Sequence, residues 1–169
     1  MKLADNERVS KVGELLYERP WTLPIVITML VENRYLSARE IAEVWGTRTS
    51  IVKRGLWWLT KYGLVERLTN EVTKYKLKDE ILLSFKKLLR ERWTRDNKLV
   101  IRRGSIYFVI TVRKKRILAR AVTEDVVEKV KEALATCKEK KLSNIVQATG
   151  LSPKLVSVAL KVLSVKGEV

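Results

Sequence analysis

Apolar residues recur at helical spacing near both ends of this chain and at two-residue spacing between them. In residues 6–19, Val9, Val12, Leu15 and Leu16 share one helical face, which predicts a short helix packed on another surface, such as a second subunit. Pro20 ends it. Thr22 is then placed to cap the next helix, with Pro24 tolerated in its first turn. That helix, running to about Asn33, is apolar nearly all round, as expected of the buried member of a small bundle. Ser37 caps a short helix over 38–45, with Ile41, Ala42 and Val44 as inner residues and Gly46 at a left-handed C-cap. A further helix starts near Ser50 and ends at Tyr62, with Val52, Leu56 and Leu59 as its inner stripe and Gly63 as its stop. Residues 64–68 and 73–77 read as a small hairpin.

Residues 79–93 predict an amphipathic helix whose seam is Ile81, Leu82, Phe85, Leu88 and Leu89, with Trp93 as a further candidate. The period then changes to two. Residues 99–102, 106–112 and 117–122 predict three strands, jointed at Gly104-Ser105 and at the basic run Arg113-Lys114-Lys115-Arg116. Thr123 caps a helix expected to reach about Glu139. A short helix over 143–149, a stop at Gly150 and a last helix over 153–166 complete the pattern.

Within residues 36–68, the placing of Glu40-Ile41-Ala42, Gly46, Val52, Leu56, Leu59 and Gly63-Leu64-Val65 resembles the winged helix-turn-helix superfamily of DNA-binding transcription regulators. The resemblance covers about Thr22 to Asp79. Residues 143–169 align with this stretch at an offset of 104, pairing Gly46 with Gly150, Val52 with Val156, Leu56 with Leu160, Leu59 with Leu163 and Gly63 with Gly167. Gly55 pairs with Ala159. Glycine inside a helix costs up to ~1 kcal/mol relative to alanine, so a close helix–helix approach is the expected compensation. The two copies together resemble a tandem winged-helix protein. The resemblance implies an α+β, mainly α fold: two winged-helix-like three-helix units joined by a helix and a small antiparallel β-meander. The corresponding division is 1–78, 79–122 and 123–169. The second copy stops where the first begins its wing, so its wing is either absent or truncated.

Charge sharpens this picture. The 169 residues carry 35 Lys+Arg against 19 Asp+Glu, a net +16, which calls for an anionic partner, with nucleic acid as the default. Residues 1–78 hold net +5, residues 79–122 net +9 and residues 123–169 net +2. A single cysteine, Cys137, excludes an internal disulfide, and the absence of histidine excludes imidazole-dependent catalysis and zinc sites. No carboxylate pair or glycine-rich phosphate loop is evident, so the expectation is a non-enzyme with no catalytic residues, metal or cofactor. The opening residues lack the apolar core of a signal peptide, and no apolar stretch approaches the ~20 residues of a membrane span. A cytoplasmic, nucleoid-associated protein with no membrane partner is expected.

In the resembled family, the second helix of the pair enters the ~12 Å major groove while the first braces it. With Val52, Leu56 and Leu59 inward, Ser50, Lys53, Arg54, Trp57 and Lys61 point outward, where Arg and Lys suit guanine edges or phosphates. Arg48 occupies the slot that a Ser fills in the second copy; either Thr49 takes over the cap, or Arg48 is there to reach DNA. Lys74 on the wing joins the candidate set. Trp57 stacks on a sugar or covers the wing. The run Arg113, Lys114, Lys115 and Arg116 is either a wing-like arm or a solvated turn, with Arg102, Arg103 and Arg120 as candidate extensions.

The second copy presents Lys154, Ser157, Val158, Lys161 and Val165 at the matching outward positions. An exposed Val158/Val165 face suits a protein partner better than a groove. The apolar seams of 6–19 and 79–93 are offered for a homodimer. The leading expectation is sequence-specific duplex DNA binding by a dimeric transcription regulator. The alternatives are a replication, partition or chromatin protein, akin in plan to tandem winged-helix initiators, and a tandem winged-helix interaction subunit of a polymerase or condensin-type complex. Helix-turn-helix folds also serve in assembly, so fold alone does not decide.

Overall fold

A computed structural model of the chain describes residues 11–169; the expected helix start at Asn6, and Val9, lie outside the described residues. The fold is α+β, with helices in the majority and two antiparallel sheets. It divides into two units. The first holds the described residues up to Arg90 together with Ile110–Leu118, and the second holds Glu91–Val109 and Ala119–Val169.

The first unit begins with helix α1 (residues 11–18) and a 3-10 turn, Pro20–Thr22. There follow α2 (Leu23–Glu32), β1 (Leu36–Ser37), α3 (Ala38–Trp45), α4 (Thr49–Lys61), β2 (Val65–Thr69), β3 (Thr73–Leu77) and α5 (Asp79–Leu88). Every residue of α2 from Leu23 to Leu30 is buried, and Asn33 ends the helix in the left-handed region at φ 47°. Thr22 does not cap it: its hydroxyl donates to the Arg19 carbonyl at 2.8 Å, because Pro20 has already turned the chain into the 3-10 segment. Strand β1, too short to show a period, pairs antiparallel with β3, and the sheet order is β1-β3-β2.

Helix α3 opens with a reciprocal cap. The Glu40 N–H donates to the Ser37 hydroxyl at 3.1 Å, and the Ser37 N–H donates to the Glu40 carboxylate at 3.2 Å. Gly46 closes the helix at φ 67°, a conformation that penalises any side chain. Ile41 and Ala42 are buried as expected, but Val44 is 61% exposed. The Trp45 indole pins the end of α3 to α2, donating to the Thr28 hydroxyl at 2.7 Å and the Pro24 carbonyl at 3.1 Å. In α4 the buried residues are Ile51, Val52, Gly55, Leu56 and Leu59. Gly55 lies against α2, where an added Cβ would overlap the terminal methyl of Ile25. The close approach expected of this glycine is therefore present.

Helix α5 stops at Leu88, five residues before the expected end, and Trp93 lies instead in an unforeseen strand. Most positions of the seams offered for dimer pairing are spent inside the chain: Val12, Leu15, Leu16, Ile81, Phe85 and Leu89 are buried, while Leu82 and Leu88 are half-buried.

The second sheet is a four-stranded meander in the order β4 (Arg92–Arg95), β5 (Lys98–Arg103), β6 (Ile106–Val112) and β7 (Ile117–Thr123). Three strands were expected. Residues 94–97, between the expected helix and the first expected strand, supply the end of β4 and a tight turn in which Asp96 takes φ 54°. Helices α6 (Glu124–Thr136), α7 (Leu142–Thr149) and α8 (Pro153–Lys166) follow. Thr123 makes no side-chain cap to α6; the Glu124 N–H donates to the Ser105 carbonyl at 2.8 Å instead. The core of this unit joins Val100, Tyr107, Val109 and Val122 of the sheet to Val127, Val130, Val156, Ala159, Val162 and Leu163 of α6 and α8. Helix α7 begins and ends 104 residues after α3, and α8 begins 104 residues after α4. Gly150 and Gly167 take φ 71° and 78°, beside 67° and 70° for Gly46 and Gly63.

Candidate nucleic-acid interface

Burial of the inner stripe of α4 fixes what the opposite face offers. Ser50, Lys53, Arg54, Trp57 and Lys61 are exposed, Arg48 just before the helix is exposed, and Thr49 is half-buried. Thirteen residues at 1.5 Å rise make a rod ~20 Å long. Trp57, 53% exposed, stands edge-on to Trp58 with centroids 4.8 Å apart, and the Lys61 ammonium lies 5.2 Å from the Trp57 ring centre. The Arg19 guanidinium covers Trp58 at 3.7 Å, so Trp58 flanks the core while Trp57 faces water. Lys74, on β3 opposite Leu68 and Ser37, is half-buried.

The basic run 113–116 forms the β6–β7 turn, closed by the Arg113 N–H donating to the Arg116 carbonyl at 2.8 Å. All four side chains are exposed. This turn is tied to the α3–α4 junction within the first unit. The Thr47 hydroxyl donates to the Arg113 carbonyl at 2.8 Å and lies 3.3 Å from the Lys114 carbonyl. The Arg48 N–H donates to the Lys114 carbonyl at 3.0 Å. Two sets of cations that lie more than 50 residues apart along the chain thus meet at the start of α4. The amino-acid pattern identifies each set but not their meeting, and it passes over Thr47, whose role exists only in the folded chain.

The same bonds answer the capping question. Helix α4 begins at Thr49 with Arg48 in the cap position, and neither side chain caps it. In α3 the cap residue's N–H is satisfied by Glu40; in α4 the corresponding N–H is satisfied by the Lys114 carbonyl. Half of a capping box is supplied from a distant hairpin. In α8, by contrast, Ser152 accepts from the Leu155 N–H at 3.3 Å and needs no outside help.

Ion pairing separates free cations from occupied ones. Among the described residues, no carboxylate pairs with Arg48, Lys53, Arg54, Lys61 or any of residues 113–116. Arg102, a candidate extension of the patch, is engaged by Glu124 at 2.8 Å and Glu91 at 3.6 Å. Lys76 is held by Asp79 and Arg34 by Glu40. Glu40 sits below the ordinary carboxylate range because it accepts from the Ser37 backbone N–H and from Arg34.

The expected Val158/Val165 interaction face is not a surface. Val158 and Val165 are 7% and 8% exposed and belong to the core with Val100, Tyr107, Val109 and Val122, because α8 packs on β4 and β5 as well as on α6 and α7. Lys154 is exposed, while Ser157 and Lys161 are half-buried. At the end of α8, the Lys166 ammonium lies 4.9 Å from the Trp93 ring centre and 5.2 Å from that of Tyr107, and donates to the Tyr107 hydroxyl at 3.1 Å. Burial pulls its pKa down, but the bond to Tyr107 and the nearby Glu168 outweigh this and raise it.

Among the described residues, no three His, Cys, Asp or Glu side chains converge as a metal site, and no single helix is long and apolar enough to cross a membrane. Comparison with family models, with curated proteins and with solved structures found no match.

Proposed function

We propose that the first unit is a winged-helix-like module that binds duplex DNA through α4, and that α6–α8 form a second, related module in tandem. The observation that carries this reading is the exposed cationic surface made by Arg48, Lys53, Arg54 and Lys61 together with the turn 113–116, paired with no carboxylate among the described residues, on a chain of net +16. A rod ~20 Å long presenting Ser, Lys, Arg and Trp side chains suits the major groove, while cations at its start suit the flanking phosphates. A regulator acting at specific sites is the first reading. A replication or chromatin protein is the second, favoured by four contiguous cations that need no particular base. The interaction-subunit reading loses its motive with the burial of Val158 and Val165.

The test is selection of bound duplexes from a random pool at two salt concentrations. Recovery of one sequence supports the regulator, and palindromy in it supports a homodimer. Steep salt dependence without a preferred sequence supports the second reading. The double variant Lys53→Glu/Arg54→Glu abolishes binding with little change in thermal melting; undiminished binding would refute the assignment of α4.

A further inference from the structure

We infer that Thr47 is a positioning residue, and that its hydroxyl holds the turn 113–116 in place as an arm gripping backbone phosphates beside the start of α4. The inference rests on the duplex-binding reading above and names the group that organises its electrostatics.

Three observations carry it. First, the wing itself is a poor phosphate clamp. Its strands and tip hold Arg67, Lys74 and Lys76 against Glu66 and Glu71, and Lys76 is already paired with Asp79. The turn 113–116 holds four exposed cations and no acid. Second, a hairpin tip bearing four like charges repels itself and is not held by its own side chains. Its anchors are backbone carbonyls, at Arg113 and Lys114, which leaves all four side chains available. Third, the anchor point is the junction that aims α4. Thr47 precedes the helix, does not cap it, and directs its hydroxyl to the hairpin, while the adjacent Arg48 N–H takes the second carbonyl. One short segment therefore sets both the start of the reading helix and the position of the arm.

The experiment measures duplex affinity by fluorescence anisotropy against salt concentration, using the full chain and a mixed-sequence duplex. The slope of log affinity on log salt is ~0.9 per phosphate neutralised, so four cations account for at most ~3.6 of it. Replacing Arg113, Lys114, Lys115 and Arg116 together with Gln leaves the backbone anchors intact and lowers the slope by about 2 or more. Thr47→Val removes the hydroxyl at nearly constant volume. It lowers the slope in the same direction, speeds hydrogen exchange at the Arg48 amide, and adds little to the effect of the four Gln substitutions. Thr47→Ser, which keeps the hydroxyl, restores the wild-type slope. An unchanged slope in the four-Gln variant, with binding still sensitive to Lys53 and Arg54, would overturn the arm while leaving the reading of α4 intact. An unchanged slope in Thr47→Val, with the four-Gln variant impaired, would overturn the positioning role. A wild-type chain that retards no duplex at low salt would overturn both readings together.

Discussion

Gly55 gives a quantitative test of how α4 is seated. It is buried in a helix interior, where alanine would contribute up to ~1 kcal/mol of helix propensity. Space opposes the exchange. A Cβ at 55 overlaps the terminal methyl of Ile25 and lies 3.4 Å from the Trp21 ring, and Ile25 is itself only 1% exposed. Its methyl must therefore rotate inside a filled core, and overpacking of that kind costs about 1–3 kcal/mol. The second term wins, so Gly55→Ala is destabilising by about 0.5–2 kcal/mol. Ile25→Val deletes the offending methyl and alone costs about 0.5–1.5 kcal/mol through the gap it leaves. In the double variant the new alanine methyl fills that gap and the propensity gain is released. Its stability returns to wild type or exceeds it by up to ~1 kcal/mol. Guanidinium unfolding of the four proteins gives a cycle with a coupling energy of about 1–3 kcal/mol. If Gly55→Ala stabilises, and the two changes add within about 0.5 kcal/mol, the close approach of α2 and α4 is wrong.

Val165→Ala, which removes two buried methyl-sized groups from the second core, lowers stability by about 1.5–3 kcal/mol; a variant melting like wild type would return Val165 to the surface. Glu40 is held below the ordinary carboxylate range, so its contribution is present above that range and is lost as pH falls through its folded value. Glu40→Gln therefore melts lower at neutral pH but shows a shallower acid limb, and parallel curves for the two proteins would refute the capping role.

Much of the first unit was legible because its signals are local. The Ser37 cap, the Gly46 stop and the i, i+4, i+7 stripe of α4 each depend on a few neighbouring residues, and each is found as expected. The errors arise where a partner from far along the chain decides the outcome. Residues 92–95 continue a helical seam in sequence, yet pairing with β5 and packing of Trp93 against Tyr107 draw them into a strand. Such a tertiary pairing overrides propensity over four residues. Val44 fits the inner face of α3 by spacing but is left exposed, as is Val31 at the end of α2. At the candidate site, both groups of cations were readable from charge alone. Their union was not, because Thr47 has no local task that would mark it.

The two helix pairs start 104 residues apart, helix for helix, yet only one presents its outer face. Arg54 and Lys61 of α4 correspond at that offset to Val158 and Val165 of α8. The former pair is exposed; the latter is buried against the four-stranded sheet. A sheet laid on the outer face of such a helix excludes the groove of a duplex from the same face, and the substitution of valine for arginine and lysine matches that exchange of water for core. The side chains at the end of α8 fit this account: Lys166 is occupied by Trp93, Tyr107 and Glu168, and Arg95 donates to the Ser164 carbonyl at 2.9 Å. Among the described residues no such cover lies over Arg54 and Lys61, and both side chains remain in water. Burying Arg54 in the manner of Val158 would cost several kcal/mol without a carboxylate to pair it, and among the described residues none stands nearby. The physical difference between the two helices is therefore what each outer face meets: a hydrophobic sheet for α8, and water for α4.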